Sequence, residues 1–81
     1  MENNTEEIKV VVASDVSGRD GIGIEIYLGD ELVVEVFRDD TKKSREVTIY
    51  KRDVSLELVE KSIAIFKERI PWEFLSYDDQ K

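Results

Sequence analysis

Residues 22–38 read IGIEIYLGDELVVEVFR, and this stretch decides the fold. Ile22, Ile24, Ile26 and Leu28 alternate with Gly23, Glu25 and Tyr27. Strict alternation marks a half-buried strand, because successive side chains point to opposite faces. After Gly29-Asp30-Glu31 the pattern resumes with Leu32, Val34 and Val36. The two runs predict an antiparallel hairpin with one apolar face. A two-residue loop would set Ile26 opposite Val33 and Ile24 opposite Glu35. A three-residue loop sets Leu28 opposite Leu32, Ile26 opposite Val34, and Ile24 opposite Val36. Register follows the buried face, and a one-residue slip turns every side chain over. The pattern therefore predicts the three-residue loop; a five-residue loop has the same parity and would serve equally.

On either side of the hairpin lie further strands. Ile8 to Ala13 (IKVVVA) is short and β-branched, as strands are. Ser14 to Gly21 is built from turn formers and reads as a loop. Asp39 to Ser44 is a charged turn, and Arg45 to Arg52 forms a fourth strand with Val47 and Ile49 on one face. The period then changes. Leu56, Val59, Ile63, Phe66 and Ile70 are spaced 3, 4, 3 and 4 apart, one stripe of an α-helix. Ser55 suits the N-cap, Glu57 suits the first turn, and Glu57 with Lys61 makes an i,i+4 pair in the favourable order. Pro71 disfavours helical geometry at Ile70 and should stop the helix there. The architecture predicted is α+β: a four-stranded antiparallel meander sheet with one C-terminal helix packed on one face.

Eighty-one residues, 41% of them hydrophobic, make one globular domain over residues 1–81. Residues 1–6 read as a flexible tail. Residues 71–81 hold Trp72, Phe74 and Tyr77, too apolar a set to float freely, and are expected to pack back on the domain. The acidic start lacks the basic and apolar regions of a signal peptide. No apolar run approaches the roughly 20 residues of a membrane span. The cytoplasm is the expected location.

The chain has no histidine and no cysteine. That removes the imidazole base, the thiolate nucleophile, the disulfide and the usual zinc site. Its net charge is −7. The segment 38–52 holds six bases and three acids, a net of +3, so the remainder carries −10. A chain of this sign repels nucleic acid overall, and direct nucleic-acid binding is not expected. The basic segment reads as solvated strand ends and a polar turn.

No motif supplies chemistry. Gly18, Gly21 and Gly23 precede a strand, not a helix, and lack the Gly-Lys-Ser/Thr ending of a phosphate loop. Asp15, Ser17 and Asp20 fail as a calcium loop, since the twelfth position from Asp15 is Ile26 where an acid is required. Asp39-Asp40 with Glu35 or Glu46 is the set that would hold magnesium, but adjacent acids at a strand end read as a solvated turn. Paired-carboxylate catalysis needs two groups held in a cleft, and nothing here converges. The sequence therefore predicts no catalytic residue, no metal, no cofactor and no enzyme.

The second faces are more informative. The sheet side away from the helix is expected to carry Tyr27, Val33, Phe37 and Tyr50 with Glu25, Glu35 and Thr48. A solvent face normally has fewer large apolar groups. Either the tail covers some of these and the rest are ordinary scattered hydrophobes, or this is a partner surface. On the second reading Glu25, Tyr27, Glu35, Phe37 and Tyr50 form it. Aromatic anchors among acids suit a basic, partly apolar partner. Leu58 and Ile65, seven apart on the helix, are the alternative surface.

GIGIEIYLGDELVVEVFRDD followed by REVTIYKRDVSLELVEKSIAIFKERI resembles small bacterial immunity proteins of toxin systems. The likeness covers residues 22–70 as an element pattern with acidic character. It implies a stoichiometric inhibitor that binds a toxin, often covering its active site; the acidic charge of the chain would steer it to a basic target such as a nuclease. It assigns no individual contact residue. A phage-type inhibitor of host defence, including a nucleic-acid mimic, uses the same physics on another partner. The structural alternative is a homodimer joined through the open sheet face or an edge strand.

Overall fold

The computed structural model describes residues 7–15 and 20–75. The expected tail at 1–6, Ser17 and Gly18 of the first loop, and Tyr77 lie outside them. Four strands run in chain order across one antiparallel sheet: β1 (Ile8–Asp15), β2 (Gly21–Leu28), β3 (Glu31–Asp39) and β4 (Ser44–Ile49). One helix, α1 (Leu56–Arg69), packs against it. This is the α+β meander that the alternation and the change of period predict.

The β2–β3 loop corrects the expected one. It has two residues, Gly29 and Asp30, and Leu28 pairs with Glu31 and Tyr27 with Leu32. Gly29 takes φ +60°, the conformation glycine adopts without steric cost at the first central position of a type II′ turn. Left alone, this turn would set Ile26 opposite Val33. Instead the ladder shifts between Ile26 and Tyr27, so Ile26 meets Val34 and Ile24 meets Val36. The odd residue sits in the ladder as a bulge and not in the loop. Burial dictates this outcome: Ile24, Ile26, Val33 and Val34 are all fully buried in one cluster. Val33, expected on the far face, thus belongs to the core.

The helix ends behave as the sequence predicts. Ser55 Oγ accepts from the Leu58 N–H at 3.1 Å. Ile70, before Pro71, leaves the helix at φ −111°, ψ 125°, while its N–H still reaches the Phe66 carbonyl at 2.9 Å. The buried face of the helix is not the expected one. Ser62 and Phe66 are its buried residues, and Leu58 and Ile65 pack against the core beside Phe66 and Ile70. Leu56, the head of the predicted stripe, is 66% exposed, and Val59 and Ile63 are only half-buried. The rotation is possible because Ser62 satisfies itself: its Oγ donates to the Leu58 carbonyl at 2.7 Å. Serine can then be buried without an unmet hydroxyl.

The helix lies over β2 and β3 and does not reach the outer strands. On its side of the sheet, Val12 of β1 and Val47 and Ile49 of β4 therefore stay about half exposed. Among the described residues no helix is long and apolar enough to cross a membrane.

Candidate partner-binding surface

The helix-free face is built by register. Glu25 pairs with Glu35, and Glu35 with Thr48; Gly23 pairs with Phe37, and Phe37 with Glu46. Lys9 pairs with Tyr27 at one end. Glu25, Tyr27, Glu35 and Phe37 are thus brought to one face, as alternation requires.

Burial divides them. Phe37 is only 2% exposed and offers no surface to a partner, which corrects its expected role as an anchor. Its ring lies along β2 over two glycines. A Cβ on Gly23 would stand 2.9 Å from ring Cδ1, and one on Gly21 would stand 3.2 Å from ring Cε2. The ring covers backbone where side chains are missing, an aromatic-over-glycine contact that sheets use to close such gaps. Two glycines spaced i, i+2 beside an aromatic were the sequence signal for this burial. Glu35 is likewise buried, at 6%, so it is not the exposed flanking charge expected.

Tyr27 and Glu25 remain half-buried and accessible. The Tyr27 hydroxyl donates to Glu25 Oε1 at 3.1 Å, and the Lys9 ammonium lies 5.0 Å from the ring centroid. The donated hydrogen bond to a carboxylate holds the phenol protonated and pushes its pKa above the ordinary value; desolvation and the Glu25 charge act in the same direction. Tyr50 is 53% exposed just past β4, with its N–H donating to the Val33 carbonyl at 2.9 Å. Leu58 and Ile65, the alternative surface, are half-buried and lie against the core on the helix side of the sheet.

The acids at the end of β3 are not a solvated turn. Asp39 and Asp40 are both buried. Asp39 Oδ1 accepts from the N–H groups of Thr41 and Lys42 at 3.0 and 3.1 Å, which fixes the turn into β4. Asp40 is taken by Arg38, Nε to Oδ1 at 2.9 Å and Nη2 to Oδ2 at 3.1 Å. This pair holds the C-terminal segment. Arg38 Nη1 donates to the Pro71 carbonyl at 2.8 Å, and Leu75 N–H donates to Asp40 Oδ1 at 3.1 Å. Arg45 adds bonds to the Trp72 carbonyl and lies 3.8 Å from the Trp72 ring centroid and 4.2 Å from that of Phe74. Residues 71–75 are thereby strapped across the β3–β4 end.

Of the basic residues in segment 38–52, Arg38 and Arg45 carry the strap and Lys43 reaches the Leu75 carbonyl, while Lys42 and Lys51 make exposed pairs with Glu46 and Glu31 at 3.6 and 3.7 Å. Among the described residues no group of three or more acids is placed to hold a metal ion. What this face offers is a tyrosine hydrogen-bonded to a carboxylate, with the Lys9 ammonium over its ring, on an acidic chain. No family model matches the chain, and no curated protein or solved structure matches it either.

Proposed function

We propose that this chain is a non-enzymatic binding protein that neutralises a partner protein, in the manner of small immunity proteins, by masking a basic or catalytic surface. The observation that carries the reading is the Tyr27–Glu25 pair on the helix-free face of a chain of net charge −7. A tyrosine ring held in place loses little entropy on docking, and the carboxylate beside it favours a cationic group opposite. Tyr50 supplies a second exposed ring. The partner is basic, nuclease- or toxin-like, and met in the cytoplasm.

The net charge acts at long range. It raises the encounter rate with a basic partner and discourages direct contact with nucleic acid. The test begins with the full chain recovered from its native cells and the bound protein identified. The purified pair is then titrated. The reading requires the partner's activity to fall in proportion to added chain and to vanish at a fixed stoichiometry. It also requires association to slow as salt rises. A partner that keeps full activity when saturated sinks the inhibitor reading.

A further inference from the structure

We propose that a second copy of this chain docks on the free edge of β4, joining two sheets into one eight-stranded sheet. The inference does not rest on the inhibitor reading, whose carrying pair, Tyr27 and Glu25, lies on β2; of that surface only Tyr50 flanks the edge of β4. Among the described residues β4 pairs only with β3, so its other edge is open. Open edges invite further strands, and proteins usually block them with proline, lysine or a bulge. From Ser44 to Ile49 there is no proline, no lysine and no register shift; the two charged residues, Arg45 and Glu46, are engaged within the chain, on Trp72 and Phe74 and on Ser44.

The backbone says which groups the edge presents. The Tyr50 N–H points to β3, where it meets the Val33 carbonyl. N–H and C=O groups alternate sides along a strand, so those of Arg45, Val47 and Ile49 point outward. The side chains of the same three residues lie on the helix side of the sheet, where Val47 and Ile49 are 45% and 43% exposed. Hydrogen-bonding capacity and apolar surface thus coincide on one edge.

That edge is complementary to itself. Antiparallel pairing about a two-fold axis at Val47 sets Val47 opposite Val47 of the other copy, and Arg45 opposite Ile49. Every outward N–H and C=O of the three residues then finds a partner. A two-fold axis through the sheet keeps both helices on the same side, as an isologous dimer requires. The two Val47–Ile49 pairs merge into one strip between them. The Arg45 guanidinium is already drawn onto Trp72 and Phe74, so Ile49 of the other copy meets its apolar stem. Centring on Thr48 would instead set Arg45 against Lys51, a repulsion made twice. With Val47 at the centre, Lys43 and Lys51 meet only beyond the strand, and each is engaged elsewhere, on the Leu75 carbonyl and on Glu31.

The chain has no cysteine, so one introduced thiol reports one position. At the two-fold centre the Val47 Cα atoms should lie about 5.5 Å apart, within disulfide range. The Ile49 pair would be offset by four residues, roughly 13 Å. Mild oxidation with oxidised glutathione should therefore cross-link Val47→Cys and leave Ile49→Cys monomeric on a denaturing gel. Sedimentation of the unmodified full chain should give the mass of two copies. Dimerisation should tighten as salt screens the −7 charge of each copy, the opposite of the partner-binding trend. Val47→Lys should give folded monomer by circular dichroism, while Val12→Lys on the β1 edge should stay dimeric. If the lysine variant fails to fold, amide exchange on the unmodified protein decides: the N–H groups of Arg45, Val47 and Ile49 should be protected. Monomer at every concentration and salt, fast exchange at those three amides, or cross-linking of Ile49→Cys in preference to Val47→Cys overturns the proposal.

Discussion

Arg38 and Asp40 form a buried ion pair through two hydrogen bonds, and both partners also bind the C-terminal segment, at the Pro71 carbonyl and the Leu75 N–H. Their side chains are 4% and 0% exposed. Removing one member strands the other charge away from water. Asp40→Ala should therefore lower stability by about 3–5 kcal/mol, read as a shift in the denaturant midpoint. A loss under about 1 kcal/mol, the range of exposed pairs, would mean the guanidinium reaches solvent and the clasp is incidental.

The same clasp predicts the effect of truncation. Ending the chain at Ile70 deletes the acceptor of Arg38 Nη1 and a donor to Asp40, and removes the Phe66–Trp72 edge contact at 6.5 Å. Each buried polar group left short of a partner costs about 1–3 kcal/mol. Trp72→Ala, with both backbone bonds kept, should cost only about 1–2 kcal/mol from the lost aromatic and cation–π contacts. Thermal melts should rank truncation well below Trp72→Ala. Equal melting temperatures would show that the rings, and not the clasp, hold the segment.

The orientation of the helix can be read by substitution. Phe66→Ala should cost about 3–5 kcal/mol, since Phe66 is buried in the core. Ser62→Leu should cost about 1–3 kcal/mol by overpacking a fully buried position. Leu56→Ala should change stability by less than about 0.5 kcal/mol, as for other exposed positions. Denaturant midpoints of the three variants are the measurement. A large loss at Leu56 with tolerance at Ser62 would restore the stripe that apolar spacing alone predicts.

That stripe shows where sequence reading succeeds and where it stops. Alternation in Ile22–Leu28 and the resumption at Leu32 were sufficient for the strands and for the Ile24–Val36 and Ile26–Val34 pairs. Ser55 and Pro71 were sufficient for both helix ends, because capping and the pre-proline restriction are local. Helix rotation is not local. Counting apolar residues passes over Ser62, which is buried only because its hydroxyl bonds back to Leu58. The bulge at Val33 was equally hidden: the two-residue turn and the apolar register conflict on paper, and only a shift within the ladder reconciles them. On the candidate surface, alternation assigned Glu35 and Phe37 to the correct face but carried no information on depth.

Phe37 tests that depth. As a buried ring over Gly21 and Gly23, it should cost about 3–5 kcal/mol when replaced by alanine. Gly23→Ala should also destabilise, because the new Cβ meets the Val36 carbonyl, the Phe37 Cα and the Phe37 ring. The two should be less than additive, since Phe37→Ala removes one of these three clashes, the ring contact. A double-mutant cycle from denaturant midpoints measures the coupling. Strict additivity would mean that the ring does not rest on the glycines.

The last prediction joins stability to the surface proposed for binding. Tyr27 donates to Glu25, so folding favours the protonated phenol and raises its pKa above the ordinary value near 10. A group whose pKa rises on folding adds stability that is fully present below its unfolded pKa and is lost as pH climbs through the folded value. The window therefore lies above pH ~10, and neutral pH leaves the pair intact. Phenolate absorbance titrated on the folded chain, with Tyr27→Phe to assign the signal, should show Tyr27 ionising later than an ordinary tyrosine. Glu25→Gln removes the charged acceptor and should bring that titration down. The same variant should slow association with the partner, by a margin that shrinks as salt rises, while Tyr27→Phe, which keeps the ring but frees it from Glu25, should leave association little changed and speed dissociation. If Glu25→Gln leaves the phenol titration where it was, the hydrogen bond does not hold the ring, and the surface loses the fixed tyrosine on which its binding role depends.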